Sequence, residues 1–169
     1  MKTLDKLADG WRLPTKDELA SLLWGKLAEG DDSGGCSDDD GDAAVAAEYR
    51  KVFYSAESWF WSSSAYKRLG ADAWYVHFGF GVFEVEIKDA ENQVRLVRGQ
   101  LAAGSWKYGD KPEDRYAISE CGNFVADHKT GLEWQREPEA GKFTWHEAVK
   151  RFSAREHWAL AKADIATWF

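Results

Sequence analysis

Three short strand patterns between Trp59 and Ile87 dominate what this chain can fold into. The first is Trp59-Phe60-Trp61, which leads into three serines, and the second runs from Ala73 to Phe78. In the third, from Phe83 to Ile87, apolar residues alternate with two glutamates, the period of a half-buried strand. The Gly79-Phe80-Gly81 link predicts a hairpin between the second and third strands. We therefore expect a small, twisted antiparallel sheet.

Helical patterns on both sides of these strands supply layers that can cover the sheet. Thr15 with Glu18, and Thr144 with Glu147, have the spacing of capping boxes, and apolar residues follow each pair at helical intervals. Weaker helices are predicted over 43–53 and 161–169. Further strands are predicted over 94–98, 123–126 and 132–135, the last two joined by a turn over 127–131. The fold class predicted is α+β, a sheet with flanking helices.

The net charge of −7 comes from one segment. Of the 29 acidic residues, seven lie within 29–42, which has no Lys or Arg, so the other 22 balance the 22 bases. Two adjacent glycines and a near absence of apolar side chains predict that this segment is a mobile loop. The remainder of the chain is neutral.

Charge and composition exclude several classes of protein. The bases are interspersed and form no stripe, which argues against nucleic-acid binding. No apolar run approaches the roughly 20 residues of a membrane helix. The first residues lack an apolar signal core, so we expect a cytoplasmic protein. Cys36 and Cys121 make neither a disulfide framework nor a zinc motif.

Five sequence motifs run through most of the chain. They are Gly10 to Leu19 (GWRLPTKDEL), Phe60 to Ser64, Ala73 to Phe78, Val94 to Gly99, and Asp127 to Gln135 followed by Thr144 to Ala148. In combination they resemble the Lcl C-terminal-like domain family of bacterial surface and phage proteins. The resemblance implies a C-type-lectin-like fold.

The motifs occur here in a different order from the family. There the Thr-Gly-Leu-x-Trp strand and the Thr-Trp helix come first, whereas here they follow the Val-Arg-Leu-Val-Arg-Gly strand. The resemblance therefore implies a circularly permuted single domain over 1–169. Its parts are a main body over 1–99, a connector over 100–114 and a completing segment over 115–169. A truncated tandem pair is the alternative origin, supported by a weak repeat of the Trp11 region at Trp158, and either history allows a homodimer by segment exchange.

Most of the motif residues are expected to be structural. Trp11 and Leu13 should fill the core between helix and sheet, and Arg12 should anchor a loop rather than bind a ligand. Arg95 and Arg98 should pair with acids on neighbouring strands.

The region from Ser58 to Phe80 is the best candidate contact surface. Its candidate residues are Trp59, Trp61, Tyr66, Trp74, Tyr75 and His77. They cannot all face inward, because successive strand residues point to opposite faces, and Phe60, Val76 and Phe78 are the natural core set. An exposed set would suit a protein or glycan contact. The alternative is a second core face beneath the flanking helices, and both interpretations stay open.

The acidic segment holds a second candidate set, Asp38, Asp39, Asp40 and Asp42. Alternating acids beside Gly41 invite a calcium interpretation, but the closing glutamate of an EF-hand loop and the lectin-type calcium triplets are both missing. We therefore expect no metal and no cofactor. A solvated charge run is the simplest interpretation, and docking onto a basic protein surface is the functional one.

Catalytic motifs are missing from the sequence. The four histidines lack metal-ligand spacing, and no nucleophile-elbow or phosphate-loop motif occurs. The Trp-Arg-Leu-Pro-Thr motif also resembles the sulfatase-modifying (formylglycine-generating) enzymes, but Cys36 and Cys121 do not match the placement of their cysteine pair. We therefore expect that the protein is not an enzyme.

These observations predict a non-catalytic module that acts by protein–protein interaction. An acidic, freestanding copy would suit a phage-type inhibitor of a host defence complex, with the four aspartates occupying a basic site. The alternatives are a glycan- or surface-binding adhesin domain and a retroelement-diversified receptor, which would use the same Trp- and Tyr-rich region.

Overall fold

The structure, a computed structural model, describes residues 10–22, 51–54, 58–68, 70–78, 82–105 and 115–153. Within these ranges lie the helices α1 (Lys16–Ala20) and α2 (Trp145–Phe152) and the strands β1 (Trp59–Ala65), β2 (Asp72–His77), β3 (Val82–Ile87), β4 (Val97–Arg98), β5 (Tyr116–Ile118), β6 (Phe124–Asp127) and β7 (Leu132–Gln135). Antiparallel strands with few helices confirm the α+β class. The acidic segment, the predicted 161–169 helix and the Trp158 repeat lie outside the described residues.

Both helices begin at the predicted capping boxes. The Thr15 hydroxyl accepts a hydrogen bond from the main-chain N–H of Glu18, whose carboxylate accepts from the N–H of Thr15 at 2.8 Å. Thr144 and Glu147 repeat this exchange at the start of α2. The donated bonds from Thr144 also lower the pKa of the Glu147 carboxyl. Local chemistry therefore sets where each helix starts.

The first sheet has the order β1–β2–β3, antiparallel throughout. Trp59 lies opposite His77, Trp61 opposite Tyr75, and Tyr75 in turn opposite Glu84. Gln93 extends the sheet beyond β1, since Trp61 N–H donates to its carbonyl oxygen and its own N–H donates to the carbonyl of Trp59. The predicted pairing of the second and third strands is confirmed.

The second sheet has the order β4–β7–β6–β5 and joins two distant parts of the chain. Val97 pairs with Trp134 and Arg98 with Glu133. The predicted turn between β6 and β7 is confirmed, with Gly131 at φ 75°, a value that glycine adopts without strain.

Two strands of this sheet, β4 and β5, differ from those that the sequence predicts. The strand predicted over 94–98 is regular only at Val97–Arg98. Before it, the N–H of Leu96 donates to the side-chain oxygen of Gln135 instead of to a main-chain carbonyl, which interrupts the ladder. Strand β5 was not predicted, because Tyr116–Ile118 is too short to show a period.

Apolar side chains pack against both faces of the β1–β2–β3 sheet. The first core contains Leu19, Leu22, Phe53, Phe60, Val76, Phe78, Phe83, Val97, Val125, Leu132 and Trp134. The second contains Trp11, Leu13, Trp61, Ala73, Tyr75, Val94, Leu96, Phe143, Ala148 and Phe152. The predicted core positions Trp11, Leu13, Phe60, Val76 and Phe78 are confirmed. Each core draws on residues from both sides of the connector.

The motif arginines hold separate segments together. Arg12 donates to both carboxylate oxygens of Glu18, at 2.7 and 2.6 Å, and to the carbonyl of Gly99 at 3.0 Å, so its expected anchoring role is confirmed. These bonds to Glu18 raise the pKa of the guanidinium. Arg98 forms the expected ion pair with Glu133. The guanidinium of Arg95 donates to three main-chain carbonyls, those of Tyr54, Gln135 and Arg136.

A buried ion pair fastens the completing segment to α1. Arg115 donates to both carboxylate oxygens of Asp127, at 2.7 and 2.6 Å, and also to the carbonyl of Ser21. The Thr130 hydroxyl donates to the same carboxylate at 2.6 Å. Both charged side chains are almost fully removed from solvent, so neither could lose its partner without a large penalty.

We predict that Asp127→Asn lowers the free energy of unfolding by roughly 3–5 kcal/mol, because it removes the carboxylate that accepts two hydrogen bonds from the buried Arg115 guanidinium. Glu133→Gln is the matched control, since it removes the carboxylate of the half-exposed Arg98 pair and should cost at most about 1 kcal/mol. Urea denaturation of both variants measures the difference. Equal losses would show that the Arg115–Asp127 pair is as accessible to water as the Arg98–Glu133 pair.

Candidate functional site

Aromatic and acidic side chains share one face of the first sheet. Opposed residues in a sheet point to the same face, so the pairs Trp59–His77 and Tyr75–Glu84 lie side by side, with Glu86 next along β3. We call these five residues the Trp59 strip. It crosses all three strands of the sheet.

Trp59 is the exposed apolar element of this strip. Its indole stacks on the Tyr75 ring, with centroids 5.2 Å apart and planes within 5° of parallel. The His77 ring meets it edge-on at 5.7 Å. Trp59 nevertheless remains 41% exposed. The two neighbours therefore hold the indole in one orientation while leaving part of its surface free for a partner.

A fixed hydrogen bond links the aromatic and acidic halves of the strip. The Tyr75 hydroxyl donates to Glu84 Oε2 at 2.7 Å. Burial raises the pKa of this phenol, and the bond to Glu84 raises it further, so the Tyr75 hydroxyl remains a hydrogen-bond donor into the alkaline range. The bond therefore holds the Glu84 carboxylate in place beside the aromatic residues of the strip.

The two carboxylates of the strip have hydrogen-bond donors but no basic partner in the part of the chain that is described. Glu86 accepts from Asn92 Nδ2 at 3.0 Å, as Glu84 does from Tyr75. The ion pairs found within those ranges involve other acids, Glu18, Glu133 and Asp127. The strip thus presents negative charge beside an exposed indole.

The structure separates the six aromatic candidates of the sequence into different environments. Trp61 is fully buried and donates its indole N–H to the carbonyl of Phe143 at 2.8 Å, so it is a core residue that no partner can touch. Tyr75 and His77 are only 5% and 6% exposed and act as supports for Trp59. Of the two open interpretations, the second core face describes Trp61, whereas Trp59 remains exposed.

Trp74 and Tyr66 lie apart from the strip. Their rings meet edge-on at 5.3 Å, and the ammonium of Lys16 sits 3.7 Å from the centre of the Trp74 ring. Trp74 is adjacent to Tyr75 in β2 and so points to the opposite face, where it packs against the first core. These two residues do not join Trp59 in one surface.

The remaining candidate sites from the sequence add no residues to the Trp59 strip. Asp38, Asp39, Asp40 and Asp42 lie outside the residues that the structure describes. Across the described ranges, no three His, Cys, Asp or Glu side chains come together as a potential metal site. A helix long and apolar enough to span a membrane is likewise not found there.

Sequence reasoning missed Glu84 and Glu86 as site residues. Their alternation with Phe83, Val85 and Ile87 indicated only the outward face of a half-buried strand. The missing information was the register that sets Glu84 opposite Tyr75, which depends on pairing between strands.

Comparison with known proteins supports the family that the motifs before the connector indicate. The family model of the Lcl C-terminal domain matches residues 3–98. The chain belongs to this family. No curated protein and no solved structure matches it. The Lcl C-terminal domain match contains α1, β1 to β4 and the whole Trp59 strip, and it ends at the last residue of β4. Strands β5 to β7 and helix α2, which complete both cores, lie beyond it.

We predict that the Tyr75 hydroxyl stabilises the fold less as the pH rises above its ordinary pKa of 10.0. The folded pKa is raised, so above pH 10 the unfolded chain loses this proton while the folded chain keeps it, and stability falls with pH. Tyr75→Phe should cost about 0.5–1.5 kcal/mol at pH 8. This cost should shrink by at most about 1.4 kcal/mol per pH unit above pH 10.

Urea denaturation of both proteins at pH 8 and pH 11 measures this change. A cost that stays constant between the two pH values would mean that the Tyr75 phenol ionises like a free tyrosine.

Proposed function

We propose that this protein is a non-catalytic binding module that contacts a protein partner through the Trp59 strip. The observation that carries the proposal is the 41% exposed Trp59 indole, stacked on Tyr75 beside a fixed carboxylate. A tryptophan held in one orientation loses little conformational entropy on binding, and such residues dominate the energy of protein interfaces. The neighbouring carboxylates add charge selectivity at the edge of the contact.

The scaffold that we propose is a C-type-lectin-like domain with its segments circularly permuted. Family membership supports the lectin-like fold. The permutation is supported by the antiparallel pairing of β4 with β7, because β4 ends the family match and β7 carries the Thr-Gly-Leu-x-Trp motif. Residues 100–114 would then connect the family's last strand to its first. The whole of 1–169 is proposed to be one domain, with segment exchange between two copies as the variant.

The family's signature residues hold the fold together, which also agrees with a binding role rather than a catalytic one. Trp11 and Leu13 are core residues, and Arg12 is engaged by Glu18 and Gly99. Asp127 is occupied by Arg115 and Thr130. Since these side chains hold segments together, the proposal assigns them no chemistry, and the protein is proposed not to be an enzyme.

The partner proposed first is a protein in the cytoplasm, with a host defence complex inhibited by a phage-type protein as the specific hypothesis. It rests on the acidity of 29–42, where Asp38, Asp39, Asp40 and Asp42 would add a second, electrostatic contact.

The second candidate is a glycan, as in an adhesin or a diversified receptor. The exposed Trp59 indole beside two hydrogen-bond-accepting carboxylates favours it, because sugars pack on aromatic rings and donate hydroxyl hydrogen bonds.

We predict that Trp59→Ala weakens partner binding by about 30-fold or more, the loss expected of an interface hot spot. Ile118→Ala is the matched control, because Ile118 is comparably exposed but lies on the second sheet. Quantitative mass spectrometry of proteins captured from a bacterial lysate compares both variants with wild type. A partner that Trp59→Ala loses and Ile118→Ala keeps is the expected result.

Two further arms separate the alternatives in the same assay. A variant with all four aspartates of the acidic set changed to Asn loses salt-dependent capture if those residues contact the partner. A glycan array with and without calcium tests the second candidate. Equal capture by wild type and a folded Trp59→Ala variant, with no glycan bound, would contradict the proposed function.

A further inference from the structure

The outer edge of β3 carries main-chain groups that the first sheet does not use. Strand β3 is last in the order β1–β2–β3, and no strand in the described ranges pairs with its outer side. The N–H of Lys88 donates to the carbonyl of Ala71 at 2.9 Å, so this N–H points toward β2. Main-chain groups alternate in direction along a strand, so those of Glu86 and Glu84 also point toward β2. Both main-chain groups of Val85 and the N–H of Ile87 point outward, away from β2.

Contacts of β1 give the same alternation independently. The N–H of Trp61 donates to the carbonyl of Gln93, so Trp61 faces away from β2 and the Phe60–Val76 pair is the hydrogen-bonded one. Tyr75 therefore turns its main-chain groups toward β3, where it meets Glu84. Both ends of the sheet thus place Val85 on the open side.

In the described ranges, the two glutamates of β3 are the devices on this edge that oppose strand addition. Natural edge strands are blunted by proline, by lysine or by a bulge. Strand β3 reads Val-Phe-Glu-Val-Glu-Ile and pairs with β2 without a bulge. Lys88 follows it, but its ammonium donates to the carbonyl of Gly70 at 2.6 Å and lies over the Trp145 ring. Ile87 remains 58% exposed.

Charge decides what can pair with the edge. In an antiparallel pairing with a second copy of β3 centred on Val85, Glu84 would lie directly opposite the partner copy's Glu86. Like charges directly opposite destabilise a sheet. Glu84 and Glu86 have no basic partner within the described ranges, so an incoming strand with Lys or Arg at these two positions would pair them.

We propose that β3 binds an extended segment of a partner protein by strand addition, with an apolar residue opposite Val85 and basic residues opposite Glu84 and Glu86. Main-chain hydrogen bonds would supply affinity and the alternating side chains specificity. The inference deepens the proposed function and rests on it, because Glu84 and Glu86 belong to the Trp59 strip. The basic side chains of the partner would project onto the face that carries Trp59.

The test uses the full chain and a synthetic acetylated, amidated peptide of alternating Lys and Val. Two-dimensional amide NMR should show shifts at Val85 and Ile87 and at least about tenfold slower hydrogen exchange of their N–H groups on binding. Affinity should fall with added salt. A peptide with Glu in place of Lys, and one N-methylated at alternate residues so that it cannot complete the ladder, should bind at least about tenfold more weakly.

Two variants assign the contacts. Val85→Pro removes the outward N–H, a change that an edge strand tolerates, and should weaken peptide binding by about tenfold with the fold retained by circular dichroism. If this variant does not fold, the N-methylated peptide tests the same hydrogen bonds. The double variant Glu84→Gln, Glu86→Gln should remove the preference for the Lys peptide and its salt dependence.

Three results would overturn strand addition. They are equal binding of the Lys and Glu peptides, shifts at Trp59 without slower exchange at Val85 and Ile87, and protection of these amides that rises with protein concentration alone. The last would show that a second copy occupies the edge. Each leaves the Trp59→Ala capture experiment intact, so failure of this inference is distinguishable from failure of the proposed function.

Discussion

The pairing of β4 with β7 is the contact on which the rest of the structure depends. Val97 lies opposite Trp134, and the Arg95 guanidinium donates to the carbonyls of Gln135 and Arg136 just beyond. This places Trp134 in the first core, and further along the chain Phe143 reaches the second. Without the pairing, the part that matches the family model would expose apolar surface on both faces of its sheet, which is unfavourable in water.

The completing segment packs on both faces of the first sheet and thereby also supports the proposed binding surface. Trp61 donates to the carbonyl of Phe143, which fixes β1 from the side of the completing segment. Trp59 lies two residues earlier on the same face and stacks on Tyr75, itself buried in the second core. The proposed contact residue is therefore supported by packing that spans the connector, which pre-organises it for binding.

The sequence predicted what local chemistry determines. The capping boxes at Thr15 and Thr144 and the parity of Phe60 and Val76 follow from neighbouring residues alone. The burial of Trp61 and the bond between Tyr75 and Glu84 depend instead on which helix covers a face and which register two strands adopt. Both depend on tertiary contacts, which bury Trp61 in the core and leave Trp59 at the surface.

Native-state hydrogen exchange tests most directly whether the segments on either side of the connector form one cooperative unit. The N–H of Val97 donates to the carbonyl of Arg12, and the N–H of Gln135 donates to the carbonyl of Leu96 across the connector. Phe60 lies in β1 of the first sheet. We predict that all three amides open with the same free energy, equal to that of global unfolding. Exchange of the Gln135 amide at a clearly lower free energy than that of Phe60 would show two separate units and contradict the account.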